Sequence, residues 1–363
     1  MVVHILLLII LLVINLLPEY WIDRKKYVLP FSFILILIYW SIRYDYGLDY
    51  WNYYNAFYSG VTENARGTRE TWFYAFFGWF DYYYQAVIAE SVIIAVTFFY
   101  FARKYVSTQF YWLFFLLLFS VPGLHFNLIS AMRSTMAACV LYWAFDLCYI
   151  SKRRWLLYIV LVLVASQFHT SALAFVVLPL VHYAFNKAHG MVVFLVLVLF
   201  DILQMFFANS IYNWIITLSV LTADYDNYSA VVQSANINGF IVRSAILYPT
   251  FFICNYYDKI RTVDTFYRQV FILAFFYLAV AMIGLNFQGR FTVYLFPFFM
   301  LALANTCNNV DKNKKWVILL PYFIILLLGF IGYYNALLDN INGHWSEGNP
   351  YYYHTIFEAP SLP

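Results

Sequence analysis

Long apolar runs recur along the whole chain, and the short linkers between them alternate in charge. All nine lysines fall in linkers that lie on one side if each run crosses a membrane once. Because Lys and Arg accumulate in cytoplasmic loops, these linkers are predicted to face the cytoplasm and both termini to face outside. The basic linkers are 24–26, 103–104, 152–154, 187, 259–268 and 312–315.

Composition supports a membrane protein. Hydrophobic residues make up 64% of the 363 residues, mean hydropathy is +0.71, and only 11% are charged, against roughly 25% in a soluble domain. We predict an all-α integral membrane protein, a polytopic bundle of about 12 transmembrane helices forming one membrane domain, 1–363. The apolar runs are 2–17, 27–42, 83–102, 109–125, 131–150, 155–168, 171–185, 190–208, 240–257, 269–286, 291–306 and 316–333.

Several function classes receive no support. No basic stripe or recognised motif indicates a nucleic-acid partner. The run 2–17 lacks a basic n-region and a small-x-small cleavage site, so we interpret it as the first membrane helix. No internal repeat is visible, which weighs against inverted-repeat transporters. The four cysteines show no C-x-x-C spacing and are predicted to be packing residues.

Three outer segments are longer than turns. Residues 43–82 form an outer loop whose aromatic stretch is too short to span and is predicted to lie in the membrane interface. A second outer loop covers 209–239, and an outer C-terminal tail covers 334–363.

Six arginines remain on the outer side, where the charge rule does not expect them. An arginine near hydrocarbon costs about 2.5–3.5 kcal/mol on insertion scales, so each needs a reason to be there. The planar guanidinium is suited to clamping a phosphate or a carboxylate. The six are Arg43, Arg66, Arg69, Arg133, Arg243 and Arg290; Arg66 and Arg69 are interpreted as solvated loop charges.

The first candidate group follows the second apolar run. Gly47 permits a turn, which brings Arg43, Asp45 and Asp49 together at the membrane surface. The dense Tyr and Trp residues around them offer flat faces with polar rims, which suit sugar rings and headgroups alike. The alternative is an aromatic belt with a local ion pair.

Two further candidates start or end apolar runs on the same side. Arg133 has small neighbours that leave room beside it; the alternative is snorkelling to the headgroups. His169 could act as a base near neutral pH, although a lone histidine is often only a packed or interfacial residue. His125 is a reserve base at a similar height.

Arg290, in a predicted tight outer turn, and Arg243, at the start of a helix, complete the set. If the outer helix ends converge, the arginines together would form a diphosphate site. Asp224 and Asp226 have the D-x-D spacing of metal–diphosphate sites, but two Asp in a polar loop arise easily by chance. Asp201 is assigned to a helix-packing network.

The ordered motifs resemble the EpsG family of Wzy-type polymerases of bacterial surface polysaccharides. They are Arg-Tyr-x-x-Gly-x-Asp-Tyr-x-x-Tyr from Arg43, Met-Arg-Ser-x-x-Ala-Ala from Met132, Phe-His-Thr-Ser-Ala from Phe168, and Gly-Arg-Phe-x-x-Tyr from Gly289. Each is short, but their order and spacing hold over about residues 25–300. This chain has Ser134 where the family usually has Gln; the loop 209–239 and the C-terminal tail fall outside the resemblance.

The resemblance implies a glycosyltransferase with a GT-C-like helical fold in the bacterial inner membrane, its active site facing the periplasm. It would join undecaprenyl-pyrophosphate-linked repeat units, with the lipid pyrophosphate as leaving group and no cofactor. In this reading the pyrophosphate is bound by Arg133, Arg243 and Arg290. His169, or else Asp49, is the base. Arg43, Asp45 and Gly47 hold the loop or the acceptor sugar, and no metal is required.

Two rival functions stay open at this level. A flippase or transporter for the same glycan would need a charged cavity reachable from both sides, whereas the unusual charges here sit near one face. A ligase of the O-antigen type, or a transferase using a lipid monophosphate sugar, would share the arginines and the base. The pathway partners expected of the polymerase are a chain-length regulator and a flippase.

Overall fold

A computed structural model of the chain describes most of its length. The described residues are 2–44, 49–59, 70–120, 124–150, 154–203, 237–260, 265–283, 285–309, 316, 318–320, 323 and 354–355. They are mostly helical, as predicted. The expected all-α fold needs one correction, because two short strands, β1 (Arg43–Tyr44) and β2 (His354–Thr355), pair antiparallel with Arg43 opposite Thr355.

The chain forms two compact units, Met1–Val176 with Phe330–Pro363, and Val177–Gly329. The prediction of one membrane domain stays a prediction. The first unit holds nine α-helices within the described residues: α1 (Val2–Leu16), α2 (Leu29–Ser41), α3 (Tyr50–Tyr58), α4 (Thr71–Phe77), α5 (Tyr83–Tyr105), α6 (Tyr111–Ser120), α7 (Leu124–Ser130), α8 (Met132–Ala144) and α9 (Trp155–Ser166).

Short segments of other helix types join these elements. Arg24–Val28 leads into α2 and Phe145–Ile150 continues α8, both as π-helical turns. Thr108–Phe110 and Thr170–Val177 are 3₁₀ helices. Departures of this kind are common at helix ends and at functional sites.

The described part of the second unit contains α10 (Leu178–Lys187), α11 (Gly190–Leu203), α12 (Ile237–Ile260), α13 (Thr265–Ile283) and α14 (Leu285–Asn308). Asp258 accepts hydrogen bonds from the N–H groups of Gly190 (2.7 Å) and Met191 (3.2 Å) and thereby caps α11. A Cβ on Gly190 would lie 2.1 Å from the carbonyl oxygen of Cys254, so only glycine permits this approach of α11 to α12.

Helix length and hydropathy give a smaller number of clear spans than the sequence predicts. Among the described residues one helix, Tyr83–Tyr105, is long and apolar enough to cross a membrane, or two if the bent pair Thr170–Lys187 and Gly190–Leu203 counts as one span. Five shorter apolar helices accompany it: Val3–Leu16, Thr108–Phe119, Trp155–Ser166, Arg268–Leu278 and Val293–Asn308. The number of about twelve spans stays a prediction.

Large apolar side chains are exposed along several helices. Leu156 on α9 is 80% exposed, Leu180 on α10 is 74% exposed, and Leu195 on α11 is 62% exposed. A soluble monomer rarely exposes apolar surface on this scale. The pattern agrees with helices that face lipid.

Two predicted helix boundaries differ from the structure. The expected run 171–185 begins as a 3₁₀ helix, and α10 starts only at Leu178, where Pro179 occupies the first turn that tolerates proline. The expected turn around Arg290 is also wrong: α13 ends at Ile283 and α14 begins at Leu285, so Arg290 belongs to a helix.

The segment after β1 is built on an aromatic core. Side chains of α3 and α4 pack against the start of α5 and the start of α8. The buried members of this core include Tyr50, Tyr53, Phe73, Phe76, Phe77, Tyr83 and Met132. Because Met132 immediately precedes Arg133, the core fixes the position at which α8 begins.

Candidate active site

Four segments of the first unit bring polar side chains to one place, which we call the Glu70 cluster: Tyr53, Glu70, Arg133 and His169. Tyr53 lies in α3, Glu70 directly precedes α4, Arg133 is the second residue of α8, and His169 directly precedes the 3₁₀ helix Thr170–Val177. The cluster joins two residues that the sequence singled out, Arg133 and His169, to two that it did not.

Arg133 and Glu70 form a salt bridge. Nη1 of Arg133 donates to Oε2 of Glu70 at 2.5 Å, and the two side chains are 23% and 13% exposed. Nε of Arg133 is buried and has no hydrogen-bond partner among the described residues. An unsatisfied buried donor is costly and calls for a functional explanation.

Tyr53 contacts Arg133 through both its ring and its hydroxyl, which accepts a hydrogen bond from the Arg133 side chain. The Cζ of Arg133 lies 5.9 Å from the centre of the Tyr53 ring, within the range of a cation–π contact. Burial raises the pKa of Tyr53 to about 12, with Arg133 opposing the rise and Asp49 adding to it. Tyr53 is therefore a neutral phenol at physiological pH.

His169 meets the same carboxylate from the other side. Oε1 of Glu70 accepts a hydrogen bond from the backbone N–H of Thr170 (3.1 Å) and lies 4.0 Å from Nδ1 of His169. Nδ1 itself accepts from the backbone N–H of Ser171 at 3.1 Å and lies 2.8 Å from the Ser171 hydroxyl. An Nδ1 that accepts an N–H places the proton of the neutral ring on Nε2.

Local sequence explains why α8 starts where it does. α7 ends at Ser130 and α8 begins at Met132, so Ala131 separates the two helices. The carbonyl of Asn127 accepts from the N–H of Ala131 (3.0 Å) and from the hydroxyl of Thr135 (3.1 Å). α7 covers the linker that the sequence predicted between the runs 109–125 and 131–150, and Arg133 lies in the first turn of α8.

A further hydrogen bond lies beside the Glu70 cluster. The Thr71 hydroxyl donates to Oε1 of Gln167 at 3.2 Å. Glu70 and Thr71 together therefore attach the start of α4 to the segment that carries His169.

Asp49 lies at the N-terminus of α3, close to the start of α8. Its backbone N–H donates to the Ser130 hydroxyl (3.2 Å), and its Oδ1 accepts from Nδ2 of Asn52 (3.3 Å). Asp49 also contributes electrostatically at Tyr53. The predicted second base is therefore near the Glu70 cluster without belonging to it.

Arg43 lies in a separate, fully buried ion pair. The residue is 2% exposed, and its Nη2 donates to Oε2 of Glu90 in α5. Its Nη1 donates to the Trp40 carbonyl (2.7 Å) and to the Ser91 hydroxyl (2.9 Å). Arg43 thus holds β1 on α5, and its guanidinium is engaged by protein groups. The other two loop residues of this prediction, Asp45 and Gly47, lie outside the described residues.

The two remaining predicted arginines belong to the second unit. Arg243 lies in α12 and Arg290 in α14, but their side chains are outside the described part of the chain. Their assignment to a pyrophosphate stays a prediction. Arg66, Arg69, Asp224 and Asp226 are likewise outside it.

The reserve base, His125, is enclosed by rings. It is 1% exposed and lies 4.6 Å from His4, 4.6 Å from Phe119 and 5.7 Å from Tyr39, measured between ring centres. No group of three or more His, Cys, Asp or Glu able to hold a metal occurs among the described residues. Asp201 is buried in α11.

Comparison with known proteins decides the family. The sequence profile of the EpsG family matches residues 26–352. The chain belongs to the EpsG family. Neither the curated proteins nor the solved structures give a match. EpsG membership, together with the apolar helices, points to a membrane protein of polysaccharide biosynthesis that is polymerase-like.

Sequence reasoning missed two members of the Glu70 cluster in this EpsG protein. Glu70 stands 63 residues from Arg133 and 100 residues from Thr170, and a single acid in a polar loop carries no local signal. Tyr53 is one of 35 tyrosines and could not be separated from its neighbours. Glu90 did carry a signal, because it is the one acid within the apolar run 83–102 and therefore needed a partner.

Proposed function

We propose that this EpsG protein is a glycosyltransferase that joins lipid-linked oligosaccharide repeat units on the outer face of the bacterial inner membrane. The growing glycan on undecaprenyl pyrophosphate would pass to the non-reducing end of another lipid-linked unit. One observation carries the proposal: Arg133 and His169, from separate segments of the chain, are held against the same carboxylate.

Arg133 is assigned to the leaving group. When the bond between the sugar and the phosphate breaks, negative charge builds on the pyrophosphate, and fixed donors in a site with little water stabilise that charge. The Arg133 guanidinium is partly buried, and its buried Nε has no partner among the described atoms. Arg243 and Arg290 are proposed to bind the pyrophosphate as well.

His169 is assigned to the attacking hydroxyl. The acceptor hydroxyl must lose a proton, so a base within hydrogen-bond reach is needed. A base at Nε2 requires the tautomer that carries its proton on Nδ1, the atom nearest to Glu70. Asp49, beside the start of α8, is the second candidate for the base.

An exposed aromatic pair next to His169 offers a place for a sugar ring. Trp72 is 50% exposed, and its ring meets the ring of Phe168 edge-on at 6.2 Å. Flat aromatic faces with polar rims suit the apolar faces of sugars. Asp45 and Gly47 are proposed to shape the neighbouring loop, while the bonds of Arg43 favour the loop-holding role over acceptor binding.

The proposed membrane arrangement and partners follow from these roles. The proposal includes a GT-C-like bundle of about twelve spans, with basic linkers inside and the Glu70 cluster outside. The lipid pyrophosphate supplies the activated sugar, so no cofactor is involved. A chain-length regulator and a flippase of the same pathway are the proposed protein partners.

Reconstitution tests the proposal directly. Purified protein in lipid nanodiscs is given undecaprenyl-pyrophosphate-linked repeat units, and products are resolved by size. We expect a ladder of lipid-linked polymers with release of undecaprenyl pyrophosphate, and about 10²–10³-fold slower polymerisation in Arg133→Ala. Arg66→Ala is the matched control, because it removes an outer arginine assigned to solvent. No ladder from well-folded wild-type protein would contradict the proposal.

A further inference from the structure

The Glu70 carboxylate lies between the two groups that the proposed reaction needs. We propose that Glu70 couples binding of the lipid pyrophosphate to activation of His169. This inference rests on the proposed function. It gives a role to a residue that no sequence motif marks.

At rest both oxygens of Glu70 are occupied. Oε2 accepts from Nη1 of Arg133 at 2.5 Å, and Oε1 accepts from the N–H of Thr170 at 3.1 Å. Each oxygen keeps a second lone pair, but both contacts hold the carboxylate on protein donors, and we assign the base to His169. Instead Glu70 acts as the internal counter-anion of Arg133, in the place where a substrate phosphate would bind.

His169 at rest has the wrong tautomer for a base at Nε2. The N–H of Ser171 donates to Nδ1 at 3.1 Å, so the neutral ring carries its proton on Nε2. In this form Nε2 is a donor and cannot take a proton from a hydroxyl. A proton on Nδ1 needs an acceptor; the neutral Ser171 hydroxyl lies 2.8 Å away, and a carboxylate would be a stronger acceptor that favours this tautomer.

Pyrophosphate binding supplies that acceptor. A phosphate oxygen on Arg133 displaces Oε2 of Glu70, which frees the carboxylate to turn toward His169. Oε1 already lies 4.0 Å from Nδ1, so a shift of about 1 Å brings it to hydrogen-bond distance. In the Nδ1–H tautomer the Nε2 lone pair is the basic site that takes the proton of the acceptor hydroxyl.

The chemical step balances with these groups alone. The acceptor oxygen bonds to the anomeric carbon while the bond from that carbon to the pyrophosphate oxygen breaks. The lipid pyrophosphate leaves with the bonding electron pair, held by Arg133. The hydroxyl proton moves to Nε2 of His169, and Glu70 stabilises the resulting imidazolium through Nδ1–H. Glu70 is thus a positioning residue that acts through His169.

The variant Glu70→Gln distinguishes the proposed coupling role of Glu70 from a purely structural one. The amide oxygen can still accept from Thr170, but the negative charge that competes for Arg133 is gone. With inorganic pyrophosphate as probe and full-length protein in nanodiscs, we expect about tenfold tighter binding with about 10²–10⁴-fold slower polymerisation. A merely supporting residue would weaken both. Thr71→Val is the matched control, because it removes the neighbouring tie to Gln167 and leaves the charges in place.

The tautomer of His169 can also be measured directly by ¹⁵N NMR. In ¹⁵N-histidine-labelled wild-type protein, the His169 signal is identified by its loss in His169→Asn. We expect Nδ1 to be unprotonated without ligand and protonated with pyrophosphate, and no change in Glu70→Gln. If pyrophosphate leaves the wild-type tautomer unchanged, or if Glu70→Gln binds it no more tightly, the coupling is overturned.

The outcomes separate this inference from the function beneath it. Loss of polymer in Arg133→Ala with unchanged pyrophosphate affinity in Glu70→Gln would overturn the coupling and leave the polymerase proposal standing. Normal pyrophosphate binding and normal polymer in Arg133→Ala would overturn the site assignment, and the coupling would fall with it.

Discussion

Glu70 accepts a hydrogen bond from Arg133 across 63 residues of sequence, with 2.5 Å between Oε2 and Nη1. This contact attaches the start of α4 to the first turn of α8, on the side of the molecule where the sequence places its unusual arginines. The same carboxylate holds the N–H of Thr170, next to His169. The proposed leaving-group residue and the proposed base therefore both lie at this carboxylate.

Arg133→Lys tests whether Arg133 binds an anion through its planar fork. Lysine keeps the charge but presents a point charge in place of the fork. We expect the rate of polymerisation to fall by about 10-fold or more, and less than in Arg133→Ala. The measurement is the initial rate of ladder formation at equal protein levels. Full activity in Arg133→Lys would argue against bidentate binding of the pyrophosphate.

The buried ion pair of Arg43 and Glu90 predicts that a substitution of Glu90 restores the stability lost in an Arg43 variant. Arg43→Met leaves the Glu90 carboxylate buried without its cation, which costs about 3–5 kcal/mol, whereas replacing both partners with apolar residues is commonly neutral. Thermal unfolding of the purified variants should show a large loss of stability for Arg43→Met. The double variant Arg43→Met with Glu90→Leu should recover both stability and polymer.

The double variant also settles the second role that the sequence gave to Arg43. If the guanidinium binds the acceptor sugar, a stable double variant would stay inactive. Recovery of polymer would assign Arg43 to holding the loop alone.

The raised pKa of Tyr53 predicts that the effect of Tyr53→Phe on the polymerisation rate does not depend on pH. Burial raises the pKa of its phenol to about 12, so the hydroxyl stays protonated throughout the range in which an unperturbed tyrosine, at about 10, begins to ionise. We expect Tyr53→Phe to lower the polymerisation rate by the same factor at every pH from about 7 to 10. A ratio of wild-type to variant rates that changes as the pH approaches 10 would show that Tyr53 ionises and would contradict this account.

Sequence patterns identified two of the four residues of the Glu70 cluster. Arg133 and His169 were found because each breaks a local rule, a charge or a titratable ring at the end of an apolar run. Glu70 was missed because its meaning comes only from contacts with Arg133 and Thr170, which no spacing in the chain reveals. The helical character of the apolar runs and the start of a run at 131 were predictable from hydropathy, whereas the helix α7 in the predicted linker 126–130 was not.

Chelation tests whether the arginines suffice for charge stabilisation. Because Arg133 and the other proposed arginines carry the charge of the leaving group, we expect the rate of polymerisation to be unchanged in excess chelator. Loss of activity that added divalent cations restore would instead favour a metal held by Asp224 and Asp226.

The protein is proposed to polymerise lipid-linked repeat units outside the membrane. The most direct test is the set of glycans carried by the lipid in a strain that lacks this protein, sorted by size and by membrane side. The account predicts intact single repeat units on the outer face and no long polymer. Units trapped on the inner face would indicate a flippase, a shortened unit a single-sugar transferase, and long lipid-linked polymer a ligase; each of these results would contradict the account.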